Sequence, residues 1–160
     1  MDTKKIINYS MLLAISVVLS ILESMIPIFS GMLVGVKLGL ANIVVLYTLY
    51  KYSFKDALYI TILRVILIAL LRTGIFSITF WFSLSGAILS ILGMYIFKKT
   101  KLSIIGVSII GSIFHIIGQI IVAKILLNIN LIYYIPYLFI FSLITGIIIG
   151  IISKEIIERS

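Results

Sequence analysis

Glu23, Lys37, Asn42, Arg64, Arg72, His115 and Gln119 are the side chains that could do chemistry within or beside apolar runs of this 160-residue sequence. Lys37 and Asn42 belong to the stretch Gly35-Val36-Lys37-Leu38-Gly39-Leu40-Ala41-Asn42, where small residues let backbone and ligand come close. A charge so near hydrocarbon is costly. Lys37 is therefore either a loop lysine whose stem snorkels to water or a binding-site lysine. Glu23 is the acid inside an apolar run and must be paired or wet. Arg64 falls near the middle of another run, so it should point inward rather than at lipid. Glu23 is the intramembrane carboxylate it could meet, as a structural ion pair or as part of a ligand site. Arg72, eight positions on, is rotated by roughly 80° on a helix and shares a broad face with Arg64. His115 and Gln119 lie one turn apart and serve either a ligand or interhelical hydrogen bonds. Cations would meet negative groups on a solute, and Asn42, His115 and Gln119 would add directional hydrogen bonds.

Other chemistries lack their residues. Holding magnesium against a diphosphate needs clustered carboxylates, and Asp56 stands alone in a turn. No glycine-rich loop ends in Lys-Ser/Thr, which excludes ATP hydrolysis by that route. With no cysteine and one histidine, neither a metal site nor a cysteine nucleophile is expected. Ser112 and His115 could meet on a helix, but no nucleophile motif surrounds them. A proton-coupled carrier built on Glu23 would need room for the inverted repeats of most carriers, and six short helices leave little. The chain is expected to be no enzyme and to need no cofactor.

The elements that must position these residues are membrane helices. The sequence is 62% hydrophobic and its mean hydropathy is +1.33, too apolar for a soluble domain. The expected fold class is all-α, an integral membrane bundle of six transmembrane helices in one domain, 1–160. The apolar runs place the helices at about 6–26, 37–50, 57–71, 75–97, 102–127 and 131–152. Lys4 and Lys5 precede the first run, and the lack of a small-x-small site before Pro27 predicts an uncleaved helix. Residues 27–36 form an apolar connection that could fold over the protein as a lid.

Small residues mark helix contacts. Ser10, Ala14 and Val18 repeat every four residues on the first helix, with Ser16 and Ser20 on another line. Ser83, Gly86, Ser90 and Gly93 form a seam on the fourth, and Ser142, Gly146 and Gly150 a ridge on the sixth. On the fifth, Ser108, Gly111, Ser112, His115, Gly118, Gln119 and Val122 make a small or polar stripe. Lys124 lies to one side and should snorkel. Trp81 sits deep for an interfacial residue if the fourth helix starts at Ile75, whereas Tyr133, Tyr134 and Tyr137 fit an aromatic belt. Residues 154–160 read as a charged tail.

The net charge of +8 lies at the ends of the apolar runs, a topology signal rather than a nucleic-acid surface. With six spans, Lys4, Lys5, Lys51, Lys55, Lys98, Lys99, Lys101, Lys154 and Arg159 share one side. The positive-inside rule then puts both termini in the cytoplasm, the protein in the cell membrane. Glu23, Lys37, Asn42 and Arg72 fall in the outer half, with Arg64, His115 and Gln119 near the middle. That depth range suits capture of an external solute.

Several motifs occur in one order: Leu22-Glu23-Ser24-Met25-Ile26-Pro27, the stretch from Gly35 through Asn42 to Val44, Leu63-Arg64-Val65, Phe82-Ser83-Leu84-Ser85-Gly86, and Gly106-Val107-Ser108 through His115 to Gly118-Gln119. On these the chain resembles the bacterial Gx transporter family, also labelled heptaprenyl diphosphate synthase component I, over nearly its whole length. That family often carries an asparagine after the histidine; here the position is Ile116. The family is similar in size and topology to the substrate-binding S components of energy-coupling-factor (ECF) transporters. The resemblance implies a six-helix subunit that binds a small solute from outside. It also implies a coupling (T) subunit and paired ATPases as partners. Ser10, Ala14 and Val18 would form the docking face, residues 27–36 the lid, and the Lys37 stretch the preferred site. The synthase label implies instead a non-catalytic membrane component of menaquinone side-chain synthesis.

Overall fold

A computed structural model describes residues 3–25, 39–128 and 133–160. It is all-helical among them: α1 (Thr3–Met25), α2 (Asn42–Lys51), α3 (Phe54–Ile68) continued by a π-helical turn (Ala69–Thr73), α4 (Ile78–Lys98), α5 (Ile104–Leu127) and α6 (Ile135–Arg159). Lys37 and the expected lid, 27–36, lie outside the described residues.

Serine caps move several starts from those expected of the apolar runs. Ser53 begins α3 ahead of Ala57: its Oγ accepts from the Asp56 backbone N–H at 3.2 Å and donates to Asp56 Oδ2 at 2.7 Å. Two backbone donors and a carboxylate are thus tied in one reciprocal cap. Ser77 and Ser103 cap α4 and α5 in the same way, accepting from Phe80 and Gly106. Trp81 therefore falls in the first turn of α4, where an interfacial aromatic belongs. It packs edge-on to Phe80 with the ring centres 5.3 Å apart. α2 begins at Asn42 rather than Lys37 because Gly39, at φ +87°, turns the chain first. At the other end α6 runs on through the expected tail to Arg159. Lys154–Glu158 and Glu155–Arg159, four residues apart, hold that last stretch helical.

Polarity is sorted inside out. Ser16, Ser20, Glu23, Asn42, Arg64, His115 and Gln119 are buried, while Leu70, Leu71, Ile125, Ile140, Ile147 and Ile151 are exposed. Such an outer surface suits hydrocarbon rather than water. α1, α4, α5 and α6 are long and apolar enough to cross a membrane. α2 and α3 are each shorter than the roughly 20 residues a span requires.

α5 sits between α4 and α6 at close range. A Cβ added at Gly118 would lie 2.6 Å from the Ser85 carbonyl oxygen. Ser85 Oγ in turn donates to the Gly118 carbonyl at 3.0 Å. Where lipid removes the hydrophobic drive between helices, such contacts hold them together. Apolar clusters fill the remaining space: Val45, Leu46, Leu49, Ile91, Met94 and Val107 join α2, α4 and α5. Lys98, at the end of α4, donates to the Leu49 carbonyl at 2.6 Å, placing a cation at the C-terminal end of α2.

On α1 the two small-residue lines face opposite ways. Ser16 and Ser20 are buried against the bundle, and Ser10, Ala14 and Val18 are exposed. Near its start Lys5 lies 3.9 Å from Asp56, and Tyr9 meets Tyr52 edge to face.

Candidate functional site

Glu23 occupies the last turn of α1. A carboxylate there faces the negative end of the helix dipole, an unfavourable place that needs compensation. Compensation comes from the chain leading into α2: Glu23 Oε1 accepts from the Gly39 N–H at 2.5 Å and Oε2 from the Leu40 N–H at 3.0 Å. Successive amides converging on one anion form a nest, and the positive φ of Gly39 makes it possible. A side chain at position 39 would be strained, and its Cβ would come within 2.9 Å of Asn42 Nδ2.

These groups border a small cavity. It is lined by Ser20 and Glu23 of α1, Gly39 and Ala41, Arg64, Val65 and Ile68 of α3, Ser83 of α4 and His115 of α5. Its volume is about 20 Å³, room for about one water molecule. Arg64 is 5% exposed, and its Nη1 has no hydrogen-bond partner. Glu23 is the charge that acts on it electrostatically. A buried guanidinium nitrogen left without an acceptor is costly.

A second polar layer lies behind the lining. Gln119 Nε2 is 3.1 Å from His115 Nε2. With the amide donating, the ring proton sits on Nδ1; with the amide turned over, it sits on Nε2. Gln119 Oε1 is buried without a partner. The imidazole fits because residue 86 is glycine: a Cβ there would lie 3.0 Å from His115 Cε1. Asn42 Nδ2 donates to Ser90 Oγ at 3.1 Å, both groups buried.

Of the residues singled out in the sequence, Glu23, Arg64 and His115 meet at one cavity, with Gln119 and Asn42 one contact behind. Arg72 stands apart. It is exposed, donates to Ser24 Oγ, and lies 3.4 Å from the Ile21 carbonyl. It thus joins the π-helical turn to the end of α1. Lys37 lies outside the described residues. Ser20 and Ser83 line the cavity without having been singled out as site residues. Both belong to small-residue lines read as packing, and their signal was position opposite Glu23 and His115. Among the described residues no group of His, Cys, Asp and Glu could hold a metal ion.

No curated protein and no solved structure matches the chain. The family model described as heptaprenyl diphosphate synthase component I matches residues 12–156, nearly the whole chain. The site residues Glu23, Arg64, His115 and Gln119 all fall inside that match, and the chain belongs to this family.

Proposed function

We propose that this protein is a membrane-embedded binding subunit of an ECF-type transporter, taking up a small polar or anionic solute and catalysing no reaction itself. Glu23, Lys37, Asn42, Arg64, Arg72, His115 and Gln119 are the residues assigned to the solute. Ser10, Ala14 and Val18 on the exposed line of α1 are assigned to a coupling subunit that works with paired ATPases. The protein resides in the cell membrane with six passes and both termini in the cytoplasm. The observation that carries this reading is the meeting of Glu23, Arg64 and His115 at one cavity between α1, α3, α4 and α5. Charged and hydrogen-bonding groups buried together in a bundle with an apolar exterior mark a ligand path by their cost. The cavity holds about one water, so a solute enters only as the groups around it part.

The family's description favours a second reading, a non-catalytic membrane component of heptaprenyl diphosphate synthesis. Affinity purification of the tagged chain from its own membranes separates the two. Stoichiometric ATPase and coupling subunits support the transporter. A soluble prenyl synthase in their place overturns it.

A further inference from the structure

Resting on the binding-subunit reading, we infer that the cavity beside Arg64 seats a singly charged carboxylate of the solute, and that Glu23 selects against phosphate. The first observation is the Arg64 guanidinium, more than nine-tenths buried, lining the cavity with Nη1 lacking an acceptor. A guanidinium has donors only, so the missing partner is an acceptor oxygen. The second observation is Glu23 on the same wall. Its oxygens are held by the Gly39 and Leu40 amides, which fixes its charge in place.

Charge decides between the oxyanions that an arginine fork receives. Arg64 and Glu23 together are neutral. An incoming carboxylate adds one negative charge, met directly by Arg64. A phosphate carries up to two, and the second faces Glu23 across a space sized for about one water. At that range and in a medium of low polarity, like charges repel strongly. Size agrees with charge, since a planar carboxylate needs less opening of the wall than a tetrahedral phosphate. His115 and Ser83, on the same wall, present further polar groups to the acid's second oxygen or its neighbouring atoms. Arg72, exposed beyond the cavity, takes no part in this selection.

The test uses the full-length protein in detergent and sodium formate, acetate, butanoate, chloride and phosphate as probes at matched ionic strength and pH 7. Thermal unfolding is followed against anion concentration. One or more carboxylates should raise Tm in a saturable way, while chloride and phosphate should not. In Arg64→Met the carboxylate response should be lost. In Arg64→Lys, which keeps the charge without the fork, the apparent affinity should fall at least threefold. A phosphate response equal to or above that of the carboxylates overturns the inference, as does a carboxylate response unchanged in a folded Arg64 variant. If the Arg64 variants do not fold, the wild-type series decides alone: no carboxylate shift beyond chloride overturns it. Copurification of ATPases is a separate readout, so a transporter subunit that ignores carboxylates remains distinguishable from a protein that is no transporter subunit.

Discussion

Glu23 Oε1 and the backbone N–H of Gly39 lie 2.5 Å apart, joining the end of α1 to the turn that opens α2. With Leu40 donating to the other oxygen, one carboxylate satisfies two amides next to a cavity. Glu23→Ala strands both amides and removes the charge acting on Arg64. A loss of about 3 kcal/mol of stability is expected. Thermal or denaturant unfolding in detergent measures it. A variant as stable as the parent would mean that water replaces the carboxylate at no cost.

Gly118 is the point of closest approach between α4 and α5. Gly118→Val would drive side-chain atoms into the Ser85 carbonyl, a backbone atom that cannot swing away. Overpacking of this kind costs about 1–3 kcal/mol. The expected outcome is a lower Tm and faster proteolysis at the α4–α5 turn. Gly118→Ala should show a smaller effect of the same sign.

Asp56 gives the fold a pH dependence outside the membrane segments. Partial burial works against its ionisation. The Ser53 hydroxyl, donated at 2.7 Å, and the Lys5 ammonium, 3.9 Å away, outweigh that and hold the carboxyl below its ordinary value. The stabilisation is therefore fully present above the unfolded value of about 3.9. It is lost as pH falls through the lowered folded value. Tm measured from pH 7 down to pH 3 should drop more steeply in the parent than in Asp56→Asn. Parallel curves would remove Asp56 from the acid response.

Lys37 tests the site from its outer approach. Lys37→Ala is expected to insert and fold, since nothing in the described bundle depends on its charge, but to retain less of the solute. Mass spectrometry of small molecules extracted from equal amounts of purified parent and variant measures the difference. Failure to insert, or aggregation, would make the lysine structural.

The sequence already placed the costly charges together. A glutamate and an arginine in separate apolar runs are each too expensive to face lipid, and that argument alone brings Glu23 and Arg64 to one interior. The polar stripe of α5 did the same for His115 and Gln119. The partners of Glu23 were not legible, because they are backbone amides that no residue type announces. Helix starts were misjudged where hydropathy overruled capping: Ser53, Ser77 and Ser103 each stand three residues before the amide they accept from. The helical tail was readable from Lys154–Glu158 and Glu155–Arg159 at four-residue spacing. Arg72 was placed by a π-helical turn, which hydrophobic periodicity does not signal.

That turn, Ala69–Thr73, bears on how relatives should be compared. Its wider winding accommodates one residue more than an α-helical turn would. Removing a residue there would rotate everything after it by roughly 100° relative to α3. Arg72 would then swing away from Ser24 and the end of α1, while Arg64, which precedes the turn, would keep its place at the cavity. Family members with and without the extra residue would share the inner site and differ in how its rim is fastened. A single-position gap between Ile68 and Gly74 in their alignment would be the trace of that difference.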